Sequence, residues 1–97
     1  MKKQFPLISA THQPARVVEQ IKADVRKYLK RERKKKLAEG ADFWDFDCKV
    51  GMGEAAPETK HVEEIIPAID QAAASQFPTI YIEILAKPGH RTSKSGI

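Results

Sequence analysis

The sequence predicts a small two-layer α/β sandwich in the order β-α-β-α-β, and three observations carry that expectation. Residues 14–38 hold apolar side chains at helical spacing. Phe43 to Val50 alternate strictly between apolar and polar. A second helical period over residues 61–75 leads into a run, Thr79 to Ala86, whose isoleucines fall on every second position. A chain of 97 residues makes one domain with one core. At this size about 60–70% of the unfolded surface is buried, enough to fold without staples.

Each element has a local cause. Lys3 to Ile8 reads as a first strand. Pro6 lacks a backbone donor, so the strand belongs at an edge or turns that position outward. Ser9 to Gln13 reads as a loop, with Thr11 or Gln13 just outside the first helix and Pro14 at its first position, where a missing N–H costs nothing. In that helix Val17, Val18, Ile21, Val25, Tyr28 and Leu29 fall within an arc of roughly 120°. The stripe then runs into Glu32 and Lys36, so the last two turns are expected to project past the core, with Gly40 marking the stop near Ala38.

In the second strand Trp44, Phe46, Cys48 and Val50 face one way, and Asp45, Asp47 and Lys49 the other. Gly51-Met52-Gly53 reads as a tight turn. It lacks the third glycine, the Lys-Ser/Thr and the immediate helix of a phosphate loop. Glu54 to Lys60 reads as a loop, with Glu58 to Val62 as a possible edge strand. Val62, Ile65, Ile66, Ile69, Ala72 and Ala73 define the second helix, where Pro67 is tolerable only in the first turn. In the last strand Ile80, Ile82 and Ile84 face in, while Tyr81, Glu83 and Leu85 face away. Lys87-Pro88-Gly89 reads as a turn. The globular domain is expected over residues 1–90, with 91–97 a disordered polar tail.

The wet face of the second strand places both helices on one side of the sheet. Right-handed crossovers between neighbouring strands make the expected sheet parallel. It has three strands, or four in a mixed sheet if the segment after Gly53 adds an edge.

Three segments together resemble a known family: Arg26-Lys27-Tyr28-Leu29-Lys30-Arg31-Glu32-Arg33-Lys34-Lys35-Lys36, Phe43-Trp44-Asp45-Phe46-Asp47-Cys48, and Tyr81 to Arg91 (YIEILAKPGHR). The chain up to Arg91 is similar to a family of small bacterial proteins classed as a domain of unknown function. The resemblance implies a bacterial, cytoplasmic protein. It brings no catalytic or binding residue with it.

Charge is the strongest functional signal. The net charge of +4 conceals segregation: residues 1–36 hold twelve Lys/Arg against three Asp/Glu, whereas residues 37–86 hold two against ten. Cations concentrated on one helix release counterions when they meet phosphates, which drives sequence-independent binding. Arg26, Lys30, Arg33 and Lys34 lie at spacings of three and four, suited to tracking a phosphate backbone. Lys22, Lys27 and Arg31 widen the patch, and Lys87, His90 and Arg91 are expected to extend it. The expected partner is RNA, the ribosome or DNA. The competing expectation is that the helix end is simply solvated, or pairs with Asp45 and Asp47 or with the acidic second helix. An acidic protein surface or a second copy of the chain, through Asp45/Asp47 and Glu63/Glu64, would satisfy the same charge.

Other chemistry is weakly signalled. His12, His61, His90 and Cys48 have none of the short spacings of a zinc site. Asp42, Asp45 and Asp47 cluster, but ordinary solubilising carboxylates look the same. No residue pattern marks a nucleophile, so an enzyme is not expected, and no cofactor or metal is implied. A lone cysteine in phase with Trp44 and Phe46 should be buried and inert, and points to a reducing compartment. No apolar run approaches a membrane span, and Phe5 to Ala10 is too short for a signal-peptide core. The expected location is the cytoplasm.

Overall fold

The computed structural model describes residues 1–8, 13–37 and 39–90. Its elements are β1 (Lys2–Pro6), α1 (Pro14–Arg33), β2 (Phe43–Met52), β3 (Glu58–Lys60), a 3₁₀ turn (Val62–Glu64), α2 (Ile65–Ala74) and β4 (Thr79–Gly89). The four strands form one sheet in the order β1-β4-β2-β3, and every neighbouring pair is antiparallel. The fold is therefore α+β, with two helices and a four-stranded antiparallel sheet.

This corrects the expected parallel sheet, and the reason is topological. β1 and β2, joined by α1, do run parallel, since both oppose β4. β3 and β4, joined by α2, are parallel for the same reason. Each crossover pair is split by a strand from the other, so no parallel pair is adjacent. The short edge strand after Gly53 forms, over Glu58–Lys60.

One core holds the layers together. Phe46, Cys48 and Val50 of β2 and Ile80, Ile82 and Ile84 of β4 supply the sheet face. Val18, Ile21, Val25 and Leu29 of α1 pack onto it, with Ile65, Ala68, Ile69 and Ala72 of α2. The alternation expected of both strands thus sets their inner face. Cys48 lies within this core, and burial, with Asp47 and Asp45 nearby, pushes its thiol up to about 11. It is protonated at neutral pH and unreactive.

The two helices start and stop by different means. Gln13 precedes α1 in extended conformation without a side-chain cap, and Pro14 opens the helix. The 3₁₀ turn before α2 carries a reciprocal cap: His61 Nδ1 accepts from the Glu63 amide at 3.2 Å, and Glu64 Oε1 accepts from the His61 amide at 2.9 Å. Pro67 lies in the first turn of α2, where it removes no helical bond. At the other end the Phe77 amide donates to the Ala72 carbonyl and the Gln76 amide to that of Ala73. This Schellman closure forces Gln76 to φ 61°, a conformation that glycine adopts without cost.

The first strand ends at Pro6 rather than Ile8, and α2 starts at Ile65 rather than residue 61, because a 3₁₀ turn occupies Val62–Glu64. Three further boundaries differ from expectation. Helix α1 ends at Arg33, not near Ala38, and does not project by two turns. The indole Nε1–H of Trp44 donates to the Lys35 carbonyl at 2.8 Å, an acceptor that a continuing helix would need, and the chain turns back toward β2. Glu32 is buried rather than protruding, and its carboxylate takes Lys35 at 2.7 Å. Second, β2 continues through Gly51 and Met52, which pair with Tyr81 and Ile80. A glycine stands at position 51 of this strand because the following loop folds over it. A Cβ there would lie 3.0 Å from the Ala55 carbonyl oxygen. Third, Lys87-Pro88-Gly89 is not a turn but the end of β4, paired with Asp45, Trp44 and Phe43. Ile84 bonds Met1 on the β1 side, so Ala86 and Pro88 turn toward that same side, beyond the end of β1. The missing N–H of Pro88 therefore breaks no ladder bond. The expected Ser9–Gln13 loop, apart from Gln13, and the 91–97 tail lie outside the described residues.

Candidate polyanion interface

The cations of α1 divide by what they touch. Lys22 turns toward α2, its Nζ 2.5 Å from Asp70 and 3.6 Å from Glu19. The hydrogen bond to Asp70 is the main cause that raises its pKa. Arg31 lies over the Tyr28 ring, 5.6 Å from the centroid, and Arg33 over the Phe46 ring at 5.3 Å. These three are engaged with the body of the protein. Arg26, Lys27, Lys30 and Lys34 are exposed and form no ion pair among the described residues.

Helical geometry explains why these four escape. Ile21, Val25 and Leu29 define the buried direction, and at 100° per residue Lys27 and Lys34 point directly away from it. Lys30 and Arg26 lie on the flank between that outward line and Lys22. Successive steps from Arg26 to Lys30 to Lys34 climb about 6 Å each. Arg16 is exposed on the same outward line, eleven residues before Lys27 and three turns below it. The dense run after Lys22 hides it in the sequence, although its phase with Lys27 and Lys34 is readable there.

The remaining predicted residues do not join this surface. Lys87 lies on the opposite face of the sheet with Tyr81, Glu83 and Leu85, away from both helices. Its Nζ pairs with Asp47 at 2.7 Å, a hydrogen bond that raises its pKa. Lys87 is therefore charge-matched and separated from α1 by the sheet. His90 is exposed at the end of β4, with Nδ1 3.0 Å from the Gly40 carbonyl oxygen in the α1–β2 connection. Arg91 lies outside the described residues. Asp45 and Asp47, considered as internal partners for the basic helix, face away from it. The acidic second helix does supply one such partner, Asp70.

The surface thus consists of Arg16, Arg26, Lys27, Lys30 and Lys34 on one side of one helix, with Lys36 exposed just beyond its end. Among the described residues no three His, Cys, Asp or Glu side chains gather to hold a metal ion, and no helix is long and apolar enough to cross a membrane.

Residues 1–95 match the model of a family of unknown function, DUF6172. The chain belongs to this family. Within DUF6172 the match takes in both helices and all four strands, so the basic helix is part of the family domain rather than an appendage. No curated protein and no solved structure matches the chain.

Proposed function

We propose that the protein is a non-enzymatic module that binds a polyanion, RNA, the ribosome or DNA, through the outward face of α1. One observation carries this reading. Nearby carboxylates are already committed, Asp70 to Lys22 and Glu32 to Lys35, while Arg26, Lys27, Lys30 and Lys34 face solvent unmatched. Unmatched cations at about 6 Å steps meet consecutive phosphates without sequence preference. Exposed aromatic rings are missing from this face among the described residues, since Tyr28 is half-buried on the other flank. The contact is therefore with the backbone rather than the bases.

The test is a salt series of binding to a labelled RNA 20-mer and to a matched DNA duplex, followed by anisotropy. Affinity should fall with a log–log slope of about −3 to −5, at roughly 0.7–0.9 per phosphate contact. The Arg26→Ala/Lys30→Ala/Lys34→Ala variant should lose most of that slope. Failure to bind either nucleic acid at about 50 mM salt, where even non-specific contacts persist, would refute the reading. Sedimentation that changes with protein concentration and salt, without nucleic acid, would assign the same cations to a second copy instead.

A further inference from the structure

A second surface, on the flank of α1 that faces away from α2, has a different character. β1 is an edge strand. Met1 and Ile84 exchange backbone hydrogen bonds, and the Leu7 amide donates to the Pro78 carbonyl, so the odd-numbered residues of β1 are the ones bonded to β4. By the two-residue period of a strand, the amides of Lys2 and Gln4 point outward from the sheet edge. Between that edge and α1 runs a groove of about 310 Å³. Phe5, Val17 and Ile21 give it an apolar floor, and Arg16, Gln20 and Asp24 line its helical wall.

A strand edge with free donors beside an apolar groove is the geometry that accepts an added strand. The charges select its chemistry. Lys2 and Lys3 are exposed on the edge strand, with Lys3 Nζ 5.0 Å from the Phe5 ring centroid. Arg16 stands at one end of the groove, and the carboxylate on the helical wall, Asp24, accepts a hydrogen bond from Gln20 at 3.0 Å. A second copy pairing edge to edge would bring two sets of Lys2 and Lys3 together, close to two cationic helices. Lysines on an edge oppose such self-pairing, but they favour an acidic strand.

We infer that the groove between β1 and α1 is a docking site for an extended acidic peptide segment of a partner protein. The segment pairs its backbone with Lys2 and Gln4 and places an apolar side chain on Phe5, Val17 and Ile21. Its acidic residues meet Lys2, Lys3 and Arg16. The five residues of β1 admit a segment of about the same length. The interface is small, so the complex is transient.

The experiment is a selection of displayed random octapeptides on the full chain, with the enriched peptides then synthesised and titrated by anisotropy. Acidic sequences with alternating apolar residues should be enriched. Gln4→Pro, which deletes an outward amide, and Arg16→Glu, on the other wall, should each weaken binding tenfold or more while leaving the thermal unfolding midpoint in place. N-methylation of alternate peptide amides should abolish binding. The Arg26→Ala/Lys30→Ala/Lys34→Ala variant should stay within threefold of the parent, which separates this site from the part of the polyanion surface beyond Arg16, the one residue the two share. No acidic enrichment, binding that survives both Gln4→Pro and Arg16→Glu, or binding lost in the triple alanine variant alone would overturn the inference. So would a dimer that dissociates on Gln4→Pro, because it would put a second copy on the edge.

Discussion

Helix α2 spans ten residues, of which Ile65, Ile69 and Ala72 have no exposed surface. Helix α1 spans twenty, and among its residues of described burial Val25 is the one with none. The shorter helix follows a reciprocally capped 3₁₀ turn and closes in a Schellman motif, while the longer one has no side-chain cap and carries Lys30, Arg31 and Arg33 in its last turn. Those terminal cations do complement the carboxyl end of the helix dipole. That effect reaches only the last turn, however, and does not account for Arg26, Lys27 or Arg16. The contrast separates two uses of a helix. α2 spends its surface on packing, whereas α1 packs one stripe and leaves the opposite side as unmatched charge. A binding surface on α1 can therefore change without cost to the fold, and a change in α2 should damage the fold first.

The largest effect should come from the core of α2. Ile69→Ala removes a fully buried side chain and should cost about 2–5 kcal/mol, read from the urea unfolding midpoint. In the protein that remains folded, the salt slope for RNA should be unaltered. An equal loss of both would mean that α2 also shapes the interface and that the two helices are not separable in this way.

Next in size is the difference between matched and unmatched cations. The Arg26→Ala/Lys30→Ala/Lys34→Ala variant should flatten the RNA salt slope by about 2–3 and leave stability within about 0.5 kcal/mol per site. Lys87→Ala, behind the sheet and paired with Asp47, should leave the slope unchanged. A reduced slope in Lys87→Ala would show that nucleic acid wraps both faces.

The buried thiol offers a pH test. The folded-state pKa of Cys48 is raised to about 11 from the ordinary value of 9.0. Between those values the unfolded chain loses a proton that the folded chain keeps. Its contribution is therefore complete below pH 9 and declines as pH rises toward about 11. Tyr28, raised by burial and then by Glu32, and Tyr81, raised by its hydrogen bond to Glu83, act in the same direction. Stability measured across this range should fall, and less steeply in Cys48→Ala once its lower starting stability is subtracted. A thiol reagent at neutral pH should modify Cys48 only as fast as the protein unfolds.

The smallest effect is a gain. Gln76→Gly relieves the left-handed backbone after α2 and should stabilise the protein by about 0.5–1 kcal/mol. No change in melting temperature would mean that the glutamine side chain compensates for its backbone conformation.

Local patterning made much of the architecture readable before any coordinates. The period-two runs around Phe46 and Ile82 and the helical stripes around Val25 and Ile69 identified both strand interiors and both helical cores, because burial on one face imposes those periods. Pro14 marked the first position of α1, whereas Pro67, awkward inside a helix expected from residue 61, is harmless only because α2 starts at Ile65. The concentration of cations on α1 was plain for the same reason, since a helix of known phase has a known outward side. Strand order was not readable: Lys2–Pro6 pairs with Thr79–Glu83 across more than seventy residues, and no local pattern records which strand fills the gap between two others. The end of β4 was misjudged because a Pro-Gly pair reads as a turn unless the neighbour on the proline's N–H side is known to be missing. For the candidate site, the sequence alone determined how many cations there are and which way they lean. Only the tertiary structure decided which are neutralised, because Lys22 meets Asp70 and Lys87 meets Asp47 through contacts between elements far apart in the chain.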